Sequence, residues 1–349
     1  MRRERTHHIT LFVCERSGGH LFPALSLARE MRRRDTGYPV FFVTSAQLKL
    51  LIRRENFPVY GRGFRRRNLI LELCYRFWEA PLLLCRCRPA KVFGFGGRDS
   101  FFLMLWAVLL RMGPVLYEPN SVFGRANKIL SPFMKRNFCG FRPLCRGRHI
   151  VCAGIPVRDD LQKLPAGEAK EKLGFGADAV VLTVCGGSQG SQFLNDLMMK
   201  LALVIPSHVK IVHITGRRGY TETRKFYERT AVRARVLDFC TDMSTVYSAT
   251  DVIISRSGAM TLGEIIYFQI PPVFIPHPGG FSHQYRNADF LQQRNAAAVF
   301  RQNEIDFQQF TDAVSELLTN PLPRKRMAEQ LAAVQTAVSA RKFYDRVFE

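Results

Sequence analysis

Residues that could bind an anionic ligand are concentrated between Asp251 and Gln284. An apolar run ends at Ser255, small residues follow at 257–259, and apolar residues recur at helical spacing from Thr261 to Phe268. This order predicts a strand, a tight turn and a helix. The N–H groups at the helix start favour an anion, and the Glu264 carboxylate can accept hydrogen bonds from vicinal hydroxyls such as those of a ribose. The stretch fits a nucleotide diphosphate, although a capped helix with a solvated glutamate explains the same residues.

A histidine in a similar setting is a candidate for acid–base chemistry. The apolar run Ile9–Cys14 leads to Ser17-Gly18-Gly19-His20, and a helix with Pro23 in its first turn is expected to follow. His20 is the one histidine of the eight that follows a glycine turn directly before a helix. Its ordinary pKa suits a general base. The alternative is a histidine that caps or packs against the helix.

Further apolar runs place these turns in a regular alternation of strands and helices. A polar, lysine-rich segment at 161–177 separates two such series, and the second opens with the turn Gly186–Gly190 and a helix over Phe193–Leu203. The expected strands are Val40–Thr44, Lys91–Phe95, Val115–Tyr117, Asn137–Gly140, Ile150–Ala153, Val180–Cys185, Lys210–Ile214, Arg235–Phe239, Val252–Ser255, Pro272–Ile275 and Ala297–Phe300. Alternating strands and helices predict parallel, doubly wound sheets with loops at the carboxyl ends of their strands.

The length of 349 residues suggests two domains, each able to bury its own core. We expect an α/β protein with two Rossmann-like domains facing a cleft, suited to a sugar nucleotide on one side and an acceptor on the other. The expected boundaries are residues 1–158, residues 159–320, and a C-terminal helix over 321–349 that could pack back on the first domain.

Charge and cysteine content limit the choice of partners and compartment. The net charge of +22 should draw the protein to phosphate, either of nucleic acid or of an anionic membrane. Nine cysteines without zinc-like spacing favour reduced, mostly buried thiols of a cytosolic protein. The longest uncharged apolar run, Ser100 to Leu110, is about half of the ~20 residues needed to span a bilayer. No signal peptide or membrane-spanning segment is therefore expected.

Five motifs in order resemble the MurG family of UDP-N-acetylglucosamine transferases, over about Ile9 to Phe300. They are Ser17-Gly18-Gly19-His20-Leu21-Phe22-Pro23, Gly154-Ile155-Pro156-Val157-Arg158, Gly186-Gly187-Ser188-Gln189-Gly190, Ser255-Arg256-Ser257-Gly258-Ala259-Met260-Thr261 with Glu264, and His283-Gln284-Tyr285-Arg286-Asn287-Ala288. The resemblance implies a GT-B fold that binds the donor in the C-terminal domain. It also implies inverting transfer of N-acetylglucosamine to the C4 hydroxyl of lipid I, an undecaprenyl-diphosphate-linked acceptor, giving lipid II for peptidoglycan synthesis.

Donor contacts follow from the resemblance residue by residue. The position of Glu264 binds the uridine ribose, that of Ser188 serves a phosphate, and those of Gln284 and Asn120 contact the sugar. The Cys240 backbone and Arg158 would lie near uracil. The residues expected to bind UDP-N-acetylglucosamine are Ser17, Gly18, Gly19, Asn120, Arg158, Ser188, Cys240, Ala259, Met260, Thr261, Leu262, Gly263, Glu264 and Gln284.

On the acceptor side, the resemblance implies that Gly18, Gly19, Gly96 and Gly97 face the acceptor diphosphate, with His20 at the junction. The role of His20 as the base follows from its ordinary pKa and its position after the glycine turn. No Asp-x-Asp pair or ligand cluster follows a strand, so we expect no metal and no cofactor. Helix N-termini and a cation such as Arg158 or Arg256 would instead stabilise the leaving diphosphate.

A basic, apolar segment at 61–89 is a candidate for membrane association. The residues expected at the lipid are Arg65, Arg66, Arg67, Leu69, Ile70, Leu73, Phe77 and Trp78. Apolar residues at helical spacing beside arginines suit a helix on an anionic membrane surface. They also suit a helix that packs on the core with solvated arginines. The resemblance favours the membrane, and so a peripheral protein at the cytoplasmic face of the inner membrane.

Three departures from the family pattern lie in the acceptor half. The chain has Cys14-Glu15 where the family usually has a further glycine pair, Tyr117-Glu118-Pro119-Asn120 for His-Glu-Gln-Asn, and no proline after 97–100. The motifs therefore support donor binding more strongly than acceptor geometry.

Two alternatives to the transferase stay open. A UDP-N-acetylglucosamine 2-epimerase would use the same nucleotide without a lipid, and would not need the basic, apolar segment. A nucleic-acid-binding protein would explain the charge, but the chain has no such signature and no regular stacking stripe, so nucleic acid is not expected as a partner.

Overall fold

The computed structural model describes residues 8–14, 18–61, 69–144, 149–187, 189–279 and 283–349. The chain forms two compact units. The first unit comprises Met1–Arg158 together with Val338–Glu349, and the second comprises Asp159–Ala337.

The first unit is built on a parallel seven-stranded sheet with strand order β3-β2-β1-β4-β5-β6-β7. Its strands are β1 (Ile9–Val13), β2 (Tyr38–Phe42), β3 (Val59–Tyr60), β4 (Lys91–Gly94), β5 (Val115–Glu118), β6 (Arg136–Cys139) and β7 (Ile150–Cys152), and a short strand β8 (Ile155–Pro156) follows. The order reverses between β1 and β4, and ligands of doubly wound sheets bind at such a switch point.

Helices cover both faces of this sheet. They are α1 (Gly18–Arg33), α2 (Ala46–Arg54), α3 (Leu69–Cys87), α4 (Arg98–Leu109) and α5 (Arg125–Leu130), with 3-10 turns at Ser131–Phe133 and Arg142–Leu144. The buried residues Leu21, Ala24, Leu25 and Ala28 of α1 recur at helical spacing and pack on one face. Side chains of α3 and α4 pack on the other face.

The second unit has a parallel six-stranded sheet with strand order β11-β10-β9-β12-β13-β14. Its strands are β9 (Val181–Cys185), β10 (Lys210–Ile214), β11 (Ala234–Leu237), β12 (Val252–Ser255), β13 (Pro272–Phe274) and β14 (Ala298–Val299). Every residue of β9 and β12 is buried, as expected of strands covered on both faces. The switch point lies between β9 and β12.

The first helix of the second unit lies inside the polar segment 161–177 that the sequence predicts as a linker with a short helix. The helices of this unit are α6 (Ala166–Lys172), α7 (Gln192–Leu201), α8 (Tyr220–Glu228), α9 (Met243–Ala249), α10 (Ala259–Phe268), α11 (His283–Gln292), α12 (Phe307–Thr319) and α13 (Pro321–Val334), with a 3-10 turn at Gln302–Glu304. Apolar residues of α7 and α12 pack with β9, β10 and β12 in one core.

The tail from Pro321 is not the single helix that the sequence predicts. Helix α13 ends at Val334, because Gln335 adopts a left-handed conformation (φ 50°). Strand β15 (Ala337–Val338) then pairs with β8, and helix α14 (Ala340–Phe348) follows. The Ser339 side chain accepts a hydrogen bond from the Lys342 N–H and so starts α14 as a separate element.

Helix α14 belongs to the first unit and packs on α1. Phe343, Tyr344 and Val347 are buried in the core that α1 covers. The hydroxyls of Thr36 and Tyr344 are hydrogen-bonded at 2.6 Å, and the Arg34 guanidinium pairs with Asp345 at 2.6 Å.

The cysteines depart from the expectation of reduced, mostly buried thiols. Cys14 and Cys185 are free and buried, whereas Cys74 and Cys85 are free and exposed. Cys139 is disulfide-bonded, so the expectation is wrong there.

Candidate functional site

The glycine turn after β9 and the start of α7 form one side of the candidate donor site. Gly187 and Gly190 have positive φ, and a Cβ on Gly186 would lie 2.4 Å from the Ser191 nitrogen. Only glycine fits such a close approach of backbone to backbone. The Ser191 hydroxyl caps α7 by accepting from the Leu194 N–H. Ser188, predicted to serve a phosphate, lies outside the described residues.

The turn between β12 and α10 lies next to this glycine turn, because β12 pairs with β9 and brings Ser255 beside Cys185. Gly258 is the N-cap of α10 and makes no side-chain capping bond. The first N–H groups of α10 are therefore available to an anion. The predicted donor residues Ala259, Met260, Thr261, Leu262 and Gly263 all lie in the first turns of this helix.

Glu264 lies in α10 and accepts a hydrogen bond from the Tyr247 hydroxyl of α9 at 2.8 Å. Burial raises the pKa of the Cys185 thiol to about 11, with smaller contributions from Glu264 and Cys240. Glu264 lies on the helix that follows β12, the strand that pairs with β9. The predicted ribose contact Glu264 therefore lies in the second unit, whereas of the two predicted uracil contacts Cys240 lies in the second unit and Arg158 in the first.

Gln284 is held at the same edge by its own side chain and backbone. Its Oε1 accepts from the His277 N–H at 3.0 Å, in the loop after β13. Its backbone carbonyl accepts from the Ser257 hydroxyl at 2.8 Å, and the Asn287 amide donates to the Ser257 carbonyl at 3.1 Å. These bonds tie the start of α11 to the turn before α10.

Arg256 is buried at the end of β12 rather than exposed on the surface. Its guanidinium donates to the carbonyls of Ile275 and Pro276 at 2.8 and 3.1 Å. It also donates to the Ser191 hydroxyl at 2.8 Å and to Gln302 Oε1 at 2.7 Å. Burial lowers the pKa of Arg256 from its ordinary value. Arg256 therefore acts as a clamp on three loops at the carboxyl edge of the sheet.

The sequence indicates no role for Tyr247 or Asn287 and predicts Arg256 only as a cation for the leaving group. Asn287 lies within the His283–Ala288 motif. Tyr247 had no signal, because its contact with Glu264 depends on how α9 packs against α10.

In the first unit, the candidate acceptor residues lie at the carboxyl ends of neighbouring strands. Strand β4 pairs with β1 and with β5, so the segments after these strands meet at one edge. Gly18, Gly19 and His20 form the first turn of α1 instead of a turn that precedes it, and Pro23 lies inside this helix. Ser17 lies outside the described residues.

The loop after β4 contains Gly96 and Gly97, with φ values of 90° and 102°. The Ser100 hydroxyl, in the first turn of α4, donates to both of their carbonyls. Asn120 follows β5 at the same edge, half-buried, with its amide bonded to Glu118. Arg158 is the last residue of the first unit's main segment and is half-buried.

The predicted membrane residues fall partly outside the described region. Arg65, Arg66 and Arg67 lie outside the described residues. Leu69 and Ile70 are the first residues of α3. Leu73 and Phe77 are half-buried, and the Phe77 ring packs against Trp106 of α4 at 5.2 Å.

Two large apolar side chains in the described part of α3 are strongly exposed: Trp78 (65%) and Leu82 (73%). Across the described ranges, no helix combines the length and apolar character needed to cross a bilayer. The same ranges hold no group of three or more His, Cys, Asp or Glu side chains arranged to bind a metal ion.

Comparison with known proteins identifies the family of the chain. The N-terminal domain model of glycosyltransferase family 28 matches residues 16–139, and the C-terminal domain model matches residues 181–343. A protein of Aquifex aeolicus (strain VF5) named UDP-N-acetylglucosamine--N-acetylmuramyl-(pentapeptide) pyrophosphoryl-undecaprenol N-acetylglucosamine transferase is 33% identical over 316 residues. That match covers 87% of this chain and 90% of the relative.

Solved structures share the fold. The crystal structure of Acinetobacter baumannii MurG has a TM-score of 0.79 at 24% identity, covering 97% of this chain and 98% of its own. UDP-GlcNAc 2-epimerase from Neisseria meningitidis has a TM-score of 0.70 at 12% identity, covering 97% and 99%. With the two parallel α/β units, these likenesses confirm the predicted GT-B class. The chain therefore belongs to glycosyltransferase family 28, as a member of the MurG family.

Proposed function

We propose that the protein transfers N-acetylglucosamine from UDP-N-acetylglucosamine to the C4 hydroxyl of lipid I, with inversion, to give lipid II for peptidoglycan synthesis. The observation that carries the proposal is the 33% identity to a transferase of this name over 87% of the chain. The alternative function, that of a UDP-N-acetylglucosamine 2-epimerase, is supported by similarity of fold alone, since that structure is only 12% identical to this chain. The transferase is therefore the better-supported function.

The donor would bind at the carboxyl edge of the second unit's sheet. The diphosphate lies at the N-termini of α7 and α10, where unpaired N–H groups and the helix dipoles favour negative charge. Glu264 accepts hydrogen bonds from the ribose hydroxyls, Gln284 contacts the sugar, and Cys240 and Arg158 lie near the uracil. The diphosphate is the leaving group, so these helix ends also stabilise the charge that develops on it.

The acceptor would be activated by the first unit. His20 takes the proton of the C4 hydroxyl as that oxygen attacks the anomeric carbon, and UDP departs with the electrons of the broken bond. The Gly18-Gly19 turn and the Gly96-Gly97 loop bind the acceptor diphosphate. Both lie at the switch point of the sheet, on adjacent strands.

The lipid anchor of the acceptor requires a membrane-facing surface. We assign it to an apolar patch on α3 and α4, which pack on each other. In α3, Trp78 is 65% and Leu82 is 73% exposed. At the end of α4, Leu109 is 59% and Leu110 is 45% exposed. Arg86, Arg88 and Arg111 are exposed at the ends of the same two helices. An exposed apolar patch edged by arginines suits an anionic lipid surface. The protein would act as a peripheral enzyme at the cytoplasmic face of the inner membrane.

A transfer assay tests the proposal. The protein is incubated with radiolabelled UDP-N-acetylglucosamine and a lipid I analogue, and label is measured in the lipid phase. We expect label in the lipid that depends on both substrates and is lost in His20→Ala. Conversion of the donor to its C2 epimer without labelled lipid would contradict the proposal and support the epimerase.

A further inference from the structure

A buried carboxylate connects two loops of the candidate site in the first unit. Glu118, the last residue of β5, is 2% exposed. Its Oε1 accepts from the Asn120 N–H at 3.1 Å and from the Asn120 amide at 2.8 Å. Its Oε2 accepts from the Gly124 N–H at 2.8 Å and from the Asn127 amide at 3.0 Å. An ionised carboxylate has about four acceptor sites, so both oxygens are fully used within the protein.

Because both carboxylate oxygens of Glu118 already accept hydrogen bonds from the protein, Glu118 is not suited to act as a general base. A carboxylate whose lone pairs already accept protein N–H groups is poorly placed to take a proton from a substrate. The same bonds fix the chain between Pro119 and Gly124, and they orient the Asn120 side chain. Glu118 therefore acts on the loop rather than on the reacting atoms.

Asn127 extends the network to the neighbouring loop. It is 1% exposed in α5, and its amide nitrogen must point at Glu118 because a carboxylate only accepts. A Cβ built on Gly96 would lie 3.0 Å from this same nitrogen. The Gly96 backbone therefore rests directly against the amide that Glu118 orients.

The Gly96-Gly97 loop is supported from its other side by Ser100. The buried Ser100 hydroxyl lies 2.7 Å from the Gly96 carbonyl and 3.0 Å from the Gly97 carbonyl. Both glycines have left-handed φ, so the direction of their peptide groups depends on these contacts. The contacts from Glu118 through Asn127 to Gly96 thus connect the loop of Asn120, expected at the donor's sugar, with the loop expected at the acceptor diphosphate.

We propose that Glu118 is a positioning residue, which sets the geometry of Asn120 directly and that of the Gly96-Gly97 loop through Asn127. This inference rests on the proposed function, since Asn120 is expected at the donor's sugar and the Gly96-Gly97 loop at the acceptor's diphosphate. It predicts that the carboxylate affects transfer to the acceptor and leaves the binding of UDP, which lacks the sugar, unchanged.

The test compares Glu118→Gln with a matched control, Glu30→Gln. The glutamine keeps the size of the side chain but presents an NH2 group to donors. Glu30 is also 2% exposed and lies in the same unit, but it pairs with Arg33 and Arg34 at the far end of α1. For each variant, acceptor KM, kcat, UDP affinity by calorimetry, Tm and amide hydrogen exchange are measured.

We expect Glu118→Gln to lower kcat/KM for the lipid I analogue about tenfold or more, while UDP affinity changes less than about twofold. Amide exchange should become faster in residues 95–100 and 119–127 of this variant. Glu30→Gln should lower Tm without either effect.

Unchanged exchange in both loops, or an equal loss of acceptor kinetics in Glu30→Gln, would overturn the proposal. If the wild-type protein does not label the lipid I analogue, the proposed function fails, whereas the exchange measurement still decides whether Glu118 positions the two loops.

Discussion

The Tyr247 hydroxyl donates a 2.8 Å hydrogen bond to Glu264 Oε2 and so joins α9 to α10. Glu264 is half-buried, and this bond fixes the orientation of its carboxylate. A carboxylate held in this way does not lose side-chain freedom when a ligand binds, which favours tight recognition of a diol.

Glu264→Ala should weaken donor use by the energy of one or two charge-assisted hydrogen bonds, about 1.5–3 kcal/mol each. We expect a roughly ten- to hundredfold or greater loss in kcat/KM for UDP-N-acetylglucosamine. Tyr247→Phe keeps the carboxylate and should therefore reduce transition-state stabilisation with the donor by only about 0.5–1.5 kcal/mol. Steady-state kinetics of both variants check this, and unchanged donor kinetics in a folded Glu264→Ala would remove Glu264 from the site.

His20→Ala should lower kcat by about a hundredfold or more, because a general base contributes on that scale. UDP binding by calorimetry should stay nearly the same, since the donor residues Glu264 and Gln284 belong to the second unit. A collapse of UDP affinity would mean that the division of roles between the units is wrong.

Arg256→Met should weaken UDP binding and destabilise the second unit by about 2–5 kcal/mol, because it leaves buried carbonyls without their donor. Arg294→Met is the matched control, since Arg294 is exposed in the same unit and donates to one backbone carbonyl. Urea denaturation and UDP calorimetry of both variants provide the measurement. Equal small effects in the two variants would contradict the clamp described for Arg256.

The apolar patch on α3 and α4 should be needed for binding to lipid vesicles. Trp78→Ser with Leu82→Ser should reduce co-sedimentation with anionic vesicles, because the pair removes two large apolar side chains of α3 that are 65% and 73% exposed. Leu203→Ser with Val204→Ser is the control, as these residues are 63% and 54% exposed in the other unit. Equal co-sedimentation of both double variants would exclude the patch as the lipid surface.

The arginine cluster at 65–67 should add an electrostatic part to the same binding. Changing Arg65, Arg66 and Arg67 to Glu should abolish vesicle binding at low salt, because each arginine near the surface contributes about 1 kcal/mol to the free energy of membrane binding. Activity on acceptor embedded in vesicles should fall far more than activity on a water-soluble analogue. Equal losses on both acceptors would assign the arginines to the fold or the catalytic site instead.

His213 should make the protein less stable in acid. Burial lowers its pKa to about 3, and its ring nitrogens are hydrogen-bonded to Tyr227 and Asn195. The unfolded chain binds a proton near pH 6.5 and the folded chain does not, so the free energy of unfolding falls as pH decreases from about 6.5 to about 3.

The slope from His213 is at most about 1.4 kcal/mol per pH unit. Urea denaturation of wild type and His213→Gln across this pH range measures it. A variant with the same pH dependence as wild type would show that other groups cause the acid sensitivity.

The sequence predicted the central strands better than the edges. Lys210–Ile214 and Val252–Ser255 agree with β10 and β12 because strands buried on both faces are continuous apolar runs. The two-residue strands β3 and β8 were missed, since such short segments carry no periodic pattern. Their pairing depends on tertiary contacts.

Tertiary contacts that the sequence does not reveal also determine the structure of the tail and of the site. The apolar pattern continues through Gln335, and the left-handed turn there follows from the pairing of β15 with β8. Motifs located the loops and helix starts, but the partners Tyr247 and Asn127 come from elements that contact the motif residues only in the folded chain.

The return of α14 to the first unit affects how the protein is made. A ribosome produces the whole of Asp159–Ala337 before Val338–Glu349 is translated, although the first unit began earlier. Phe343, Tyr344 and Val347 then supply the missing part of the first core. The second unit is therefore the first to be complete during synthesis, and the N-terminal unit finishes folding only after Val338–Glu349 leaves the exit tunnel.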